Sequence, residues 1–360
     1  MEEFSVSTSI RSGPGAAASL GELGAKRLFL VTDPYFSKNG MAQRVAELSK
    51  APEVAIFDQV APDPTVELAA EGTAALREFG PDLVVALGGG SAMDLGKAMA
   101  YFAKGSYRLC AIPTTSGSGS EVTDFAILTH NKVKHPLIDK RLLPDIAILD
   151  SDFLMELPKG LIGETGFDAI THAVEAYTAK GAGAFSDLLA KEAFSALYAA
   201  LPASYAGRKD VRLKVHTAAT MAGMAFNQAG LGLCHAMAHA MGGLLHVPHG
   251  RLNAILLPAV IGSNAAFAEK KYAELARAAG IGGSADTIGV RNLKNSLIRL
   301  RRELNLPETL CQAGVDPGTV WRSAGEIVRA TLADPCCKGN PMVVEDFQVR
   351  RILEEVTGRV

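Results

Sequence analysis

The most constraining feature of the chain is an alternation of short apolar runs with amphipathic stretches through its first 150 residues. The predicted strands are RLFLVTD (27–33), EVAIFDQV (53–60), DLVVALGGG (82–90), LCAIPTT (109–115), EVTDFAILTH (121–130) and DIAILD (145–150). The predicted helices that separate the first four are 35–50, 65–80 and 91–104. Continuous apolar strands that alternate with helices indicate a parallel sheet covered on both faces, closed by the last two strands.

The second half of the chain has a different pattern. From about residue 155 the strand-like runs stop, and helical patterns rich in Ala, Leu and Met continue almost to the end, broken by Gly and Pro. A chain of 360 residues also exceeds the usual size of one domain. The sequence therefore predicts an α/β domain at 1–157 and an all-α domain at 158–360, with the boundary near Leu157–Gly160.

Composition gives no support for nucleic acid or a membrane as the binding partner. Lys and Arg number 36 against 38 Asp and Glu, so no excess positive charge favours nucleic acid or an anionic membrane. No uninterrupted apolar stretch is long enough to span a bilayer, and the acidic start MEEFSVSTSI does not resemble a secretory signal. Five cysteines without CxxC spacing indicate reduced thiols, although the adjacent Cys336 and Cys337 could be redox-sensitive. We expect a cytoplasmic protein that acts on a small molecule.

The segment GGGSAMD (88–94) lies where a predicted strand passes into a helix. Glycines let backbone N–H groups approach a phosphate, and a helix N-terminus favours an anion. Ser91 is the predicted N-cap of that helix. The segment is not the GxGxxG fingerprint, and a tight turn without a ligand is the alternative interpretation.

Two further features favour a dinucleotide. The loop PTTSGSGSE (113–121) also follows a strand, and its hydroxyls and glycines suit the lining of a pyrophosphate site. Asp33, at the end of an apolar strand, could accept hydrogen bonds from a ribose diol and would repel a 2′-phosphate. It could also be only a turn residue before Pro34. Together the features predict binding of NAD rather than NADP.

Ligand-type residues of the second half occur at helical spacing. Asp168 and His172 are four residues apart in GETGFDAITHAVEAY, so both side chains lie on one face of a predicted helix. His235 and His239 repeat that spacing on a second helix, and His249 follows behind Pro248. A carboxylate with several imidazoles suits a divalent metal such as Fe(II), Zn(II), Co(II) or Mn(II).

A buried histidine is more often a packed core residue than a ligand, and this alternative applies to each histidine taken singly. Five of the eight histidines, however, fall at 172 or between 235 and 249, in segments flanked by Gly and Ala. Packing alone does not readily explain two pairs of ligand-type residues four positions apart, so a metal site is the preferred interpretation. His216 and His246 lack this support and are interpreted as structural.

These motifs resemble those of the iron-containing (group III) alcohol dehydrogenase family over nearly the whole chain. The matching segments are GGGSAMDLGK, IPTTSGSGSEVT, KHPLIDKRLLPDIAILD, TGFDAITHAVEAY and GLGLCHAMAHAMGGLLHVPHGRLNAILLP. PDPT at 62–65 and AGMAFNQAGLGLCHAMAH at 222–239 resemble most closely the propanol dehydrogenases of propanediol utilisation. The resemblance implies a Rossmann-like dinucleotide-binding domain followed by a helical metal-binding domain, the dehydroquinate synthase-like architecture.

The resemblance also implies roles for individual residues. The implied metal ligands are Asp168, His172, His235 and His249. The implied cofactor-binding residues are Asp33, Gly89, Gly90, Ser91, Asp94, Thr114, Thr115, Ser118 and Lys134. His239 matches an additional active-site histidine and is the predicted proton relay, unless it only orients the metal ligands; Asp94 is implied near the nicotinamide and substrate. Arg251 departs from the usual apolar residue and puts the polarity of the pocket in question.

The expected activity is reversible hydride transfer between NAD(H) and a short primary alcohol or aldehyde, such as 1-propanol and propionaldehyde or ethanol and acetaldehyde. Fe(II) is the expected metal and Zn(II) the alternative, because zinc competes well for such ligands. A homodimer or larger homo-oligomer is implied, and so is the option of a bacterial microcompartment. Two rivals remain: a dehydroquinate-synthase-like lyase that also uses NAD and metal, and a catalytically silent assembly protein.

Overall fold

The computed structural model describes residues 4–131 and 133–358, and contacts divide the chain into two units. Ser5–Leu157 form the first unit, and the chain from Pro158 onward forms the second together with Phe4. The Phe4 ring stacks on that of Phe185 at a centroid distance of 5.2 Å. The first three residues, which contribute the acidic start considered above, lie outside the described residues.

The first unit alternates strands and helices. Its elements are β1 (Ser9–Ser12), β2 (Arg27–Val31), α1 (Pro34–Lys38), α2 (Met41–Ser49), β3 (Glu53–Phe57), α3 (Val66–Phe79), β4 (Leu83–Gly88), α4 (Gly90–Ala103), β5 (Arg108–Pro113), β6 (Phe125–His130), β7 (Val133–Ile138) and β8 (Ile146–Leu149). Short 3-10 segments occur at Ala16–Leu23, Ser120–Val122, Lys140–Leu142 and Ser151–Leu154.

Six of these strands form one parallel sheet in the order β1-β8-β5-β4-β2-β3. Successive side chains of a strand point to opposite faces, so β4 supplies Leu83 and Val85 to one apolar cluster and Val84 to another. Both faces of the sheet are therefore buried. This confirms the predicted α/β class and explains why its strands are apolar without alternation.

The sheet brings the predicted cofactor segments to one edge. Strands β5, β4 and β2 are neighbours and parallel, so the residues that follow them emerge side by side. Thr32 Oγ1 donates to the Leu87 carbonyl at 2.9 Å, and Thr114 N donates to the Gly88 carbonyl at 2.9 Å. The chain order reverses between β2 and β4, the kind of position where open α/β sheets bind ligands.

Three predictions made from the sequence differ from the secondary structure of this unit. Residues 121–130 do not close the parallel sheet: β6 pairs antiparallel with β7 in a separate hairpin, and a 3-10 turn precedes it. The helix predicted at 35–50 is two helices, because Gly40 adopts a left-handed φ of 80° between them. Strands β1 and β7 were not predicted; Pro136 inside β7 argues locally against a strand and is accommodated in a two-stranded hairpin.

The second unit has helices and no strand in its described residues, as predicted. Its helices are α5 (Lys159–Thr178), α6 (Ala184–Tyr205), α7 (Arg212–Ala229), α8 (Leu233–Leu245), α9 (His249–Ala278), α10 (Asp286–Glu303), α11 (Pro317–Ala333), α12 (Pro335–Gly339) and α13 (Asp346–Thr357). Helix α5 packs against α6, α7 and α9 and is buried over most of its length. This buried helix carries two of the four candidate ligands, Asp168 and His172.

Helix α9 is long and apolar enough to cross a bilayer by length and composition. Within this unit, however, 67% of its most apolar window is buried against other helices. Its hydropathy is therefore that of a core helix. It bends at Ala268, where φ is −132°, and it contains Pro258.

Candidate metal centre and cofactor loops

Three of the four predicted metal ligands converge in the second unit. Asp168 lies in the middle of α5, His235 in the first turn of α8 and His249 at the start of α9. One candidate ligand atom of each lies within 4.8 Å of the other two. Asp168 Oδ1 is 3.6 Å from His235 Nε2 and 3.5 Å from His249 Nε2. His235 and His249 follow Asp168 by 67 and 81 positions in the sequence. The three side chains nevertheless meet at one buried point.

The side-chain amide of Asn253 lies among these atoms and is fully buried. Its Nδ2 donates to Asp168 Oδ1 at 2.6 Å and is 3.2 Å from Nε2 of both His235 and His249. One electropositive amide nitrogen is therefore within reach of a carboxylate oxygen and two imidazole nitrogens. The carboxylate oxygen and the two imidazole nitrogens point to this common position, and such a set of ligand atoms fits a borderline divalent cation.

His172 lies beside this group. It is one helical turn after Asp168, and its ring stacks on that of His235 with centroids 4.5 Å apart and planes 15° apart. The His172 ring also stacks on that of Phe226, with centroids 4.4 Å apart and planes 30° apart. The structure therefore brings His172 into contact with the group, while its ligand atom is not among the three that lie within 4.8 Å of one another.

The electrostatics of the group favour a cation at its centre. Burial raises the pKa of Asp168, but the imidazoles of His172, His249 and His235 outweigh it and hold this pKa well below its usual range. Burial lowers the pKa of His235, but the carboxylates of Asp168 and Glu175 outweigh it and raise this pKa to about 9. Asp168 is thus ionised, and the carboxylates make positive charge favourable beside them.

His239, the predicted proton relay, is held by a carboxylate. Its Nδ1 lies 2.9 Å from Asp334 Oδ2, and its ring stacks on that of His249 with centroids 5.2 Å apart. Burial raises the pKa of Asp334, but hydrogen bonds from His239 and Cys336 outweigh it, so this pKa is lowered. Asp334 Oδ2 therefore accepts a hydrogen bond from Nδ1–H of His239. This assigns the neutral ring of His239 to the tautomer that carries its lone pair on Nε2. Cys336 lies within the same cluster.

The glycine turn after β4 begins α4 differently from the prediction. The N-cap is Gly89, not Ser91, and Ser91 lies in the first turn of the helix. Gly89 has no side chain with which to cap, so the first N–H groups of α4 are left for another acceptor. Gly88 has a φ of 150°, and a Cβ there would meet the Cβ of Ala92 at 2.6 Å. The turn therefore requires glycine at Gly88 for both conformation and space.

The second loop packs against this turn. A Cβ on Gly89 would be 3.4 Å from Thr115 Oγ1, and one on Gly90 would be 3.2 Å from Ser118 Cβ. Thr114, by contrast, is 1% exposed, and its backbone N–H continues the pairing of β5 with β4. The two predicted pyrophosphate segments are therefore brought together.

Asp94 and Lys97, one turn apart on α4, hold the second loop in place. Asp94 accepts hydrogen bonds from Ser120 Oγ at 2.7 Å and from Ile127 N at 3.2 Å. Lys97 Nζ donates to the Ser120 carbonyl at 2.9 Å and lies 3.1 Å from Thr123 Oγ1. Burial raises the pKa of Asp94 and lowers that of Lys97 to about 8. Asp94 thus anchors the loop, and its predicted role near the nicotinamide stays a prediction.

Asp33 combines both interpretations of the sequence. It is the N-cap of α1, with Oδ1 accepting from Tyr35 N at 2.9 Å and from Phe36 N at 3.2 Å. Its Oδ2 points towards the glycine turn, 3.7 Å from where a Cβ on Gly88 would lie. Asp33 therefore caps α1 through Oδ1, and its Oδ2 lies beside the predicted nucleotide site.

Two charged residues have partners that the sequence did not reveal. Lys134, predicted to reach the cofactor, forms an ion pair with Asp63 Oδ1 at 2.6 Å. Arg251 forms an ion pair with Glu164, its Nε lying 3.1 Å from Oε1. The unusual charge of Arg251 is thus matched within the second unit.

Sequence reasoning missed four residues that contact the predicted site residues or the predicted loop 113–121. They are Lys97, Glu175, Asn253 and Asp334. Two carried a local signal, because Lys97 is the one basic residue within the largely apolar run AMDLGKAMAYFA and Glu175 interrupts the apolar HAVEAY. Polar residues at such positions need a partner when they are buried. Asn253 and Asp334 had no local signal.

Known proteins are similar to this chain over nearly its whole length. A model of the iron-containing alcohol dehydrogenases matches residues 7–151, and one of the C-terminal domain of the Fe-containing alcohol dehydrogenase family matches residues 162–357. The chain is 36% identical to 1-propanol dehydrogenase PduQ of Citrobacter freundii, covering 99% of this chain and 100% of that protein. It is 34% identical to an NADPH-dependent butanol dehydrogenase of Clostridium saccharobutylicum, covering 98% and 97%.

Solved structures are similar over the same extent. A 1,3-propanediol oxidoreductase superposes with a TM-score of 0.93 at 32% identity, covering 99% of this chain and 100% of that one. An iron-containing alcohol dehydrogenase of Thermococcus thioreducens superposes with a TM-score of 0.91 at 33% identity, covering 98% and 99%.

Proposed function

The chain belongs to the iron-containing alcohol dehydrogenase family as an NAD-dependent oxidoreductase, and from this premise we propose that it interconverts short-chain primary alcohols and aldehydes. The substrate pair we propose is 1-propanol and propionaldehyde, or ethanol and acetaldehyde. The observation that carries the proposal is the convergence of Asp168, His235 and His249 on one buried point. That arrangement fits a metal that acts on an alcohol or aldehyde oxygen.

We propose that Asp168, His172, His235 and His249 hold this metal, with Fe(II) as the expected ion and Zn(II) as the alternative. When bound, the metal supplies Lewis-acid polarisation of the substrate oxygen, and the nicotinamide supplies the hydride chemistry. The protein's own residues provide charge and position: Asp168 supplies an anion, and the stacked rings of His172 and His235 keep each other in place.

His239 is the residue we propose for proton transfer. Asp334 accepts a hydrogen bond from its Nδ1–H, so Nε2 is the nitrogen that takes or returns a proton on the side away from Asp334. Because the His239 ring stacks on that of His249, the proton-transfer group is next to a proposed ligand.

We propose that the first unit binds NAD at the edge formed by β2, β4 and β5. The proposed contact residues are Asp33, Gly89, Gly90, Ser91, Asp94, Thr114, Thr115, Ser118 and Lys134. The start of α4 attracts the pyrophosphate, since its first N–H groups lack a side-chain cap. Asp33 Oδ2 accepts from the ribose diol while Oδ1 caps α1. A homo-oligomer and a cytoplasmic or microcompartment location remain predictions of the resemblance.

Replacing Asp33 with asparagine tests the cofactor preference. The amide oxygen keeps the cap of α1, while the charge that repels a 2′-phosphate is lost. The ratio of kcat/KM with NADH to kcat/KM with NADPH should fall about 10-fold or more, equivalent to about 1.4 kcal/mol. Asp152→Asn, which removes a surface ion pair with Arg44, is the matched control and should leave the ratio unchanged. An unchanged ratio in Asp33→Asn would contradict the ribose role.

The proposed reaction is tested by oxidation of NADH with propionaldehyde or acetaldehyde. Protein stripped with a chelator is reconstituted with Fe(II) without oxygen and, separately, with Zn(II). Activity should be absent before reconstitution and should appear with at least one metal. Metal-bound protein that is inert to a range of aldehydes and alcohols would refute the proposal and favour the silent assembly protein. Turnover of a sugar phosphate without net change in NADH would favour the lyase.

A further inference from the structure

Glu175 is a buried carboxylate next to the proposed metal site. It lies on α5, seven residues after Asp168, and is 4% exposed. Its Oε2 is 2.6 Å from Nδ1 of His235, the ring whose Nε2 faces Asp168. The His235 ring therefore lies between two carboxylates, one at each nitrogen.

The same carboxylate also holds the start of α8. Cys234 N donates to Glu175 Oε1 at 2.6 Å, and His235 N donates to Oε2 at 3.3 Å. The N-cap of α8, Gly232, offers no side-chain acceptor, so Glu175 caps the helix from a neighbouring one. The N–H groups at a helix N-terminus favour a carboxylate acceptor, and Glu175 places both of its oxygens against them.

Close approach of this carboxylate depends on Gly232. A Cβ at Gly232 would lie 2.8 Å from Glu175 Oε1 and 3.1 Å from Asn340 Oδ1. Asn340 accepts from Leu233 N at 3.2 Å, so two side chains divide the first N–H groups of α8 between them. Only Glu175 of this pair also contacts the imidazole.

We propose that Glu175 is a positioning residue for the metal: its carboxylate anchors His235 through both ring and backbone, and so presents Nε2 to the cation. The inference rests on the proposed metal centre and deepens it. Donation of Nδ1–H to a carboxylate fixes the tautomer, restricts rotation of the ring and makes the other nitrogen a stronger ligand. Partners of this kind typically change metal affinity 10–100-fold when removed.

The test compares Glu175→Gln with Asn340→Ala by titrating Zn(II) and Co(II) against a chromophoric chelator. Glutamine keeps the shape but loses the charge and one acceptor oxygen, so metal affinity should fall about 10–100-fold. Asn340→Ala weakens the same helix start without touching the ring, so it should lower the melting temperature and leave metal affinity within about twofold of wild type. Equal affinity in Glu175→Gln and wild type would overturn the inference.

A measurement on the wild-type protein covers the case in which Glu175→Gln does not fold. Nitrogen-15 NMR of histidine-labelled, zinc-loaded protein reports which nitrogen of His235 carries the proton. A protonated Nδ1 with zinc on Nε2 supports the role of Glu175, and zinc on Nδ1 overturns it. Wild type that binds no metal would instead refute the proposed function, so the two failures are distinguishable.

Discussion

Asp168→Ala is expected to weaken metal binding about 10²- to 10⁴-fold and to remove aldehyde reduction at ordinary metal concentrations. The substitution deletes the carboxylate that lies within 3.6 Å of both His235 Nε2 and His249 Nε2 and that accepts from Asn253. Removing one member of a buried charged group costs about 3–5 kcal/mol, and 1.36 kcal/mol corresponds to a factor of ten. Chelator competition measures the affinity, and NADH oxidation measures the activity.

Two variants control this experiment. Asp168→Asn keeps the shape and one oxygen ligand, so its metal affinity should lie between those of wild type and Asp168→Ala. Glu192→Ala removes a carboxylate from the exposed surface of α6 and should change neither affinity nor activity. If Asp168→Ala bound metal as tightly as wild type, the proposed centre would be in the wrong place.

Gly250→Ala is expected to destabilise the second unit and to disturb the proposed metal centre. A Cβ at Gly250 would lie 2.3 Å from the carbonyl oxygen of Glu164 and 3.4 Å from Asp168 Cβ. The obstacle is backbone, so α9 must move away from α5, and this movement separates His249 from Asp168. We expect the free energy of unfolding to fall by about 1–3 kcal/mol and metal affinity to fall with it. Denaturant unfolding and metal titration measure the two effects.

Gly242→Ala is the matched control. Gly242 also lies in a helix of this unit, but a Cβ there would meet its nearest neighbours at 3.7 and 3.9 Å, which is ordinary contact. Alanine is favoured over glycine within a helix by about 0.5–1 kcal/mol, so this variant should be as stable as wild type or slightly more stable. Unchanged stability and metal affinity in Gly250→Ala would show that the approach of α9 to α5 is not required.

The elements that the sequence predicted well are those defined by local pattern. Continuous apolar runs predicted β2, β4, β5 and β8, since a strand buried on both faces needs an apolar side chain at nearly every position. Spacing of four residues placed Asp168 with His172 and His235 with His239 on the same helix faces, because a helix repeats every 3.6 residues. Both patterns are contained within a few turns of chain.

Local pattern did not determine where a helix starts or which strand pairs with which. Ser91 is a good capping residue, yet the N-cap of α4 is Gly89, two residues earlier, and the helix begins at Gly90. Residues 125–130 have strand character, but their partner is β7 and not the sheet. Pairing depends on hydrogen bonds between segments that are distant in the sequence, so the residues of one strand do not by themselves specify its partner.

The sequence by itself determined the order of α/β and helical units, the apolar character of their cores and the ligand types available at helical spacing. Only the tertiary structure decided that Asp168, His235 and His249 meet at one point, and that Asn253, Glu175 and Asp334 contact the predicted residues. The physical reason is that burial makes an unpaired polar group costly. Each buried histidine and carboxylate must therefore find a partner, and packing of helices far apart in the chain selects which one it finds.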